Sequence, residues 1–212
     1  MKKKTRLLLA LGLLTAFAIW TVLLGYIDVR AIGPRGSTVG FAGLNSWFHN
    51  LTGVHFLLYH ITDWAGLVPI AVCLCFAILG LCQWIKRKNI LKVDPDILIL
   101  GGFYLLTMGA YILFEFITVN YRPVIIAGYL ETSYPSSTTL LVLCVMPTTM
   151  LQLRRRIKRP VLRSVILWTI GIFTVLMVLG RLISGVHWLS DILGGLLLSG
   201  GLVLLYHAAA ES

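Results

Sequence analysis

Six stretches of this chain carry no charged residue and are long enough to cross a bilayer. They run Leu7–Ile27, Trp64–Ile85, Ile97–Phe114, Thr132–Leu153, Ser164–Gly180 and Ile192–Ala210. A helix needs about 20 apolar residues to span the hydrocarbon core. Their content is mostly Leu, Ile, Val, Ala and Gly with little strand-like alternation, and backbone exposed to lipid must satisfy its own hydrogen bonds. The spacing therefore predicts an all-α polytopic membrane protein with six transmembrane helices. Composition agrees: 58% of the 212 residues are hydrophobic and 12% charged, against about 25% charged in soluble domains. That excludes a disordered chain, a disulfide-framed module and a coiled coil. The whole of 1–212 reads as one membrane-embedded domain.

The basic residues orient it. Of 18 Lys and Arg, 14 lie before the first span, between the second and third, or between the fourth and fifth. The remaining four, Arg30, Arg35, Arg122 and Arg181, fall on the opposite side. The positive-inside rule then puts both termini in the cytoplasm of a cell whose plasma membrane the chain crosses. The net charge of +10 is read as this topology signal together with contact to membrane lipids, and not as nucleic-acid binding, since no soluble domain carries it. The first span follows a basic start and contains Ala16-Phe17-Ala18, which resembles a signal-peptidase site. Because the apolar run continues to Ile27, a retained signal-anchor helix is expected.

The segment 30–63 is expected to be an external loop followed by an interfacial helix from Ser46 to Trp64, with Trp47, Phe48, Leu51 and Phe56 on its apolar face. His49, His55 and His60 there lack metal-site spacing and read as packing or interfacial residues. Cys73, Cys75, Cys82 and Cys144 all lie inside spans and read as packing residues.

Three external segments hold the chemistry. EFITVNYRP, Glu115–Pro123, closes the third span, and Pro123 predicts that the helix ends near Arg122. YPSSTT, Tyr134–Thr139, reads as a helix start with Ser136 as N-cap, whose free N–H groups suit an anion. GRLISGVHWLSD, Gly180–Asp191, places His187 and Asp191 at i, i+4, on one helical face. Asp191 can then bind one ring nitrogen of His187 and leave the other free. Each segment alone also has a bland reading as a snorkelling arginine, a plain cap or a structural contact. Together they gather two guanidinium groups, a helix N-terminus with hydroxyls and a His–Asp pair on one side of the membrane. Arginine forks match phosphate oxygens in pairs, so the set suits phosphoryl transfer.

The three segments resemble the signature of the type 2 phosphatidic acid phosphatase superfamily, which also includes vanadium haloperoxidases. That signature reads KxxxxxxRP, PSGH and SRxxxxxHxxxD. Arg122-Pro123 matches the end of the first motif and Pro135-Ser136 the start of the second. Arg181, His187 and Asp191 match the third with every spacing kept. The resemblance implies that His187 is a nucleophile forming a phosphohistidine and that Asp191 orients it. It implies that Arg122, Arg181, Ser136 and the backbone N–H of Ser137 hold the phosphate, with no metal or other cofactor. The substrate would be a lipid phosphate reached from the extracytoplasmic face.

Three positions break the signature, and a fourth, Ser137 in place of Gly, keeps the backbone N–H donor. Glu115 stands where the family has Lys, Thr138 where it has the His that serves as general acid, and Gly180 where it has Ser. A general acid contributes about 10²–10⁴-fold in rate. An alcohol leaving group, with a pKa near that of water at about 15.7, needs that proton. A phosphate monoester, whose second pKa is about 6, does not. Thr138 therefore points to a diphosphate substrate such as a polyprenyl diphosphate. Glu115, counted as two helical turns before Arg122, is read as a partner for Arg122 or as a replacement acid. The alternative is a catalytically impaired member that binds or moves phospholipids. A transporter on inverted repeats is disfavoured, because the halves show no repeat. The sequence carries no reading of oligomeric state.

Overall fold

The computed structural model describes residues 2–210, so the ends of the 1–212 domain expected above lie outside the described residues. Its α-helices are α1 (Lys3–Leu24), α2 (Ala42–Thr52), α3 (Phe56–Ala65), α4 (Leu67–Arg87), α5 (Pro95–Phe116), α6 (Ser137–Arg156), α7 (Pro160–Ile183) and α8 (Leu189–Ala210). Among the described residues there is no strand, only isolated bridges. Local chemistry sets many of the limits. Pro95 and Pro160 open α5 and α7 at the first helical position, where a missing N–H costs nothing. Lys88 leaves α4 in a left-handed conformation.

Five helices are long and apolar enough to cross a membrane: α1, α3 with α4 (Phe56–Arg87), α5, α7 and α8. The protein is thus a multi-pass membrane protein, and the sixth expected span differs. Its helix, α6, begins at Ser137 and not at Thr132. It also carries Thr139, Thr148, Thr149 and Gln152, all buried. A helix enclosed by other helices need not be apolar on every face, because its polar groups find protein partners. Thr148 and Thr149 donate to the carbonyls of Cys144 and Val145 at 2.7 Å each, and Gln152 donates to the Tyr206 hydroxyl at 2.7 Å.

The bundle is built around α6 and α8, with α1 and α5 packed on α8, and α7 and α4 on α6. Its main core joins Phe17, Leu24, Leu100, Phe103, Tyr134, Leu140, Leu198 and Tyr206. One end is tied by Arg156 to Asp96 at 2.9 Å and by Arg155 to the Ala210 carbonyl. The other end gathers the loops that hold Arg30, Arg35 and Arg122 and the last turn of α7, which holds Arg181.

The interfacial stretch is two helices rather than one. Gly53, at φ +68°, separates α2 from α3, and α3 runs almost directly into α4 through Gly66. On α3, Leu57, Ile61 and Trp64 are exposed while Tyr59 and Thr62 are buried. Of the four cysteines, Cys144 is fully buried, while Cys75 and Cys82 are exposed along α4.

Candidate active site

The chain between α5 and α6 folds back on itself. Bridges Tyr121 to Thr132 and Ile126 to Tyr129 form an irregular hairpin, and the Arg122 N–H donates to the Glu131 carbonyl at 3.0 Å. Helix α5 therefore stops at Phe116, six residues before the end that Pro123 alone suggested. Glu115 and Arg122 are not on one helical face. They nevertheless line the same small cavity, because the hairpin brings Arg122 back over the end of α5.

The third segment is a tight turn between α7 and α8. Ser184 donates through its hydroxyl to the Arg181 carbonyl at 2.7 Å. Gly185 sits at φ +70°, and a Cβ there would lie 1.9 Å from the Gly53 carbonyl oxygen. Only glycine meets both demands. The turn buries His187 to 3% exposure.

The two ring nitrogens of His187 face different partners. Nδ1 lies 3.1 Å from the Ser133 carbonyl oxygen. A carbonyl only accepts, so Nδ1 bears the proton and Nε2 the lone pair. Nε2 faces Nη1 of Arg122 at 3.3 Å. Burial first, then the charges of Arg122 and Arg181, hold the ring well below the usual histidine range and hence neutral. Asp191 is not the direct partner of the ring: its Oδ2 lies 3.8 Å from Nδ1, beyond hydrogen-bond length. Its oxygens accept instead from Asn120 at 3.1 Å and from the Trp188 N–H at 2.9 Å. The i, i+4 spacing misled because α8 begins only at Leu189, leaving His187 outside the helix.

Ser136 is the N-cap of α6, as the sequence suggested, but its side chain makes no cap bond. Its hydroxyl accepts from Thr139 at 3.0 Å, and its N–H donates to the Asp191 carbonyl at 3.2 Å. The N–H groups of the first turn of α6 are left without a capping side chain. Ser137 lines the cavity with Glu115, Arg122, Ser133 and His187. That cavity measures about 20 Å³, room for about one water. Arg122 lines it, with Nε 2.9 Å from a Glu131 carboxylate oxygen. Glu131, and not Glu115, is the carboxylate on Arg122. Glu115 takes only a 3.5 Å contact from the Thr132 hydroxyl.

Thr138 does not line this cavity. It lies beside Ser137 on a much larger groove of about 950 Å³ between α4, α5 and α6. The groove starts at Asp63, Tyr111, Ser137 and Thr138 and runs past Gly101 and Gly102 to Trp84 and Ile90. Arg181, 2% exposed, turns toward α3, where Thr62 and Asp63 accept from it. Asn120, Glu131, Thr62 and Asp63 escaped the sequence reading. Only Ala127-Gly128, a turn signal midway between Tyr121 and Tyr134, hinted that Glu131 would fold back on Arg122. Among the described residues no three His, Cys, Asp or Glu side chains gather as a metal site.

A model of the PAP2 superfamily matches residues 70–211. The chain belongs to the PAP2 superfamily. Its fold is similar to the crystal structure of the first transmembrane PAP2 type phosphatidylglycerolphosphate phosphatase from Bacillus subtilis. The TM-score is 0.60 at 19% identity, over 93% of this chain and 94% of that one. No curated protein matches the chain. In this PAP2 member Arg122, Ser136, Ser137, Arg181, His187 and Asp191 all lie within the matched residues, whereas α2 and α3 precede them.

Proposed function

We propose that this PAP2 protein is an integral-membrane phosphatase that hydrolyses a lipid phosphate at the extracytoplasmic face, α6 being its sixth span. The observation that carries the reading is the state of His187: neutral, with Nδ1–H tied to the Ser133 carbonyl and the Nε2 lone pair turned to Arg122. That is a preset nucleophile beside a phosphate-binding cation. Nε2 attacks the terminal phosphorus, the bond from phosphorus to the bridging oxygen breaks, and the leaving group departs with that electron pair. A phosphohistidine remains. Water then attacks the phosphorus, the N–P bond returns its electrons to Nε2, and both protons of the water leave with orthophosphate. Arg122, Arg181, Ser136 and the Ser137 N–H hold the phosphoryl oxygens as charge shifts between them. Asp191, anchored by Asn120 and the Trp188 N–H, compensates the charge on the ring. To admit phosphate, Arg122 turns from its place against His187.

The substrate class follows from the leaving group. Besides His187 no histidine lines the cavity or the mouth of the groove, and Thr138 stands at the second-motif position where the family has one. Thr138 at the groove mouth does not protonate an alkoxide at neutral pH. A polyprenyl diphosphate releases a phosphate monoester, which leaves unaided, and its tail fits the apolar groove from Leu67 to Trp84. One observation favours a second reading, a silent lipid-binding member: Arg122 is held between Glu131 and His187 in a cavity for one water. The test uses wild type and His187→Ala purified in detergent. Phosphate release is followed from polyprenyl diphosphate, phosphatidylglycerol phosphate and phosphatidic acid. Wild type releases phosphate fastest from the diphosphate, and the variant releases none. Faster release from phosphatidic acid would overturn the substrate class, and no release from any of the three would leave the silent reading.

A further inference from the structure

Arg181 is gripped from outside the residues that match the family. Its guanidinium is 2% exposed, and every contact it makes with α3 comes from one face of that helix. Nη1 donates to the Thr62 hydroxyl at 3.3 Å and Nη2 to Asp63 Oδ1 at 3.4 Å. The Tyr59 ring lies beneath the guanidinium, 4.9 Å from its carbon. The Nε–H is buried without a partner, so one donor of the group remains to be satisfied.

The rest of the turn is held by the same piece of chain. The His55 N–H donates to the Ser184 carbonyl at 2.9 Å, directly beside Gly185. Gly180 makes this close packing feasible. A Cβ there would lie 2.7 Å from Cγ2 of Thr62. The departure from Ser to Gly before Arg181 is thus the complement of α3: the small residue admits Thr62, and Thr62 with its neighbours takes hold of Arg181.

We propose that Asp63, acting with Thr62 and Tyr59, is the positioning residue that presents Arg181 to the phosphate. A buried arginine with five donors on a flexible stem needs partners to choose one orientation. Asp63 supplies a charged one, and it stands at the mouth of the groove beside Ser137 and Thr138, where the lipid end of the substrate enters. This role rests on Arg181 as a phosphate arm, and orthophosphate reads it without turnover.

The experiment titrates inorganic orthophosphate against the thermal unfolding midpoint of the full chain in detergent, for wild type, Asp63→Asn, Asp63→Glu and Thr62→Val. Removing the Asp63 charge makes the site more positive, so Coulomb attraction alone tightens the anion. Loss of positioning does the reverse. Asp63→Asn is expected to bind orthophosphate about tenfold more weakly, the worth of one charge-assisted hydrogen bond. Asp63→Glu restores most of that affinity, and Thr62→Val, which keeps its methyl against Gly180, weakens it in the same direction. Tighter or unchanged binding by Asp63→Asn overturns the proposal, as does a wild type that binds no orthophosphate. If Asp63→Asn does not fold, Thr62→Val decides by the same sign. Weakened binding alongside a wild type that hydrolyses no lipid phosphate sustains this role and removes only the phosphatase reading.

Discussion

His187 shows how a residue is tuned by neighbours far away in the chain. Its neutrality comes from burial and two arginines, and its tautomer from the carbonyl of Ser133. Unfolded, the ring takes up a proton near pH 6.5; folded, it resists until well below that. Stability therefore falls as pH drops below about 6.5, because the unfolded chain binds the extra proton. Thermal melts from pH 7.5 to 5 should show a smaller loss in His187→Gln than in wild type. Asn120 is the second residue whose role is set by the fold. It is 1% exposed and donates to Asp191, so Asn120→Leu leaves a buried carboxylate oxygen without its donor. That costs about 1–3 kcal/mol, seen as a lowered denaturation midpoint, with slower phosphate release if Asp191 steadies the ring.

Single helices carry the next level of design. Restoring the family residue with Gly180→Ser should destabilise this chain, since the new Cβ meets Thr62 at 2.7 Å. Overpacking of this kind costs about 1–3 kcal/mol, and the pair Gly180→Ser with Thr62→Ala should recover part of it in the same melts. Helix α5 offers the opposite case. Gly101 and Gly102 line the groove, and a Cβ at either meets nothing within 4 Å. Gly102→Leu is therefore expected to fold normally while narrowing the groove. Release of phosphate from a long-tailed lipid should slow, and release from a short water-soluble phosphate ester should not change.

Across the whole molecule, charge sorts into two ends. The basic ends of α4 and α6 lie with Asp94 and Asp96 at one end, and the hairpin of Arg122 and the turn of His187 lie at the other. With a bilayer placed between them, the positive-inside rule predicts that the site faces outside, and cysteine labelling tests that prediction. In a background with the native cysteines replaced, Tyr129→Cys on the exposed hairpin tip should react in intact cells with a membrane-impermeant maleimide. Lys158→Cys should react only after the cells are opened.

The division between local and long-range information is clear residue by residue. Where a chain crosses a bilayer, hydrocarbon excludes charge and unpaired backbone, so composition over 20 residues marks α1, α4, α5, α7 and α8 without reference to the rest of the fold. The spacing of Arg181, His187 and Asp191 was legible as a match to a family signature, but the shared helical face it suggested for His187 and Asp191 does not form, because α8 begins at Leu189. The partners of those residues were not legible. Ser133, rather than Asp191, holds the His187 ring; Glu131, rather than Glu115, holds Arg122; and α3, 118 residues earlier, holds Arg181. None of these contacts leaves a periodic or compositional trace. Each exists only because α6 and α8 pack at the centre of the bundle and bring the hairpin and the α2–α3 elbow together over their ends.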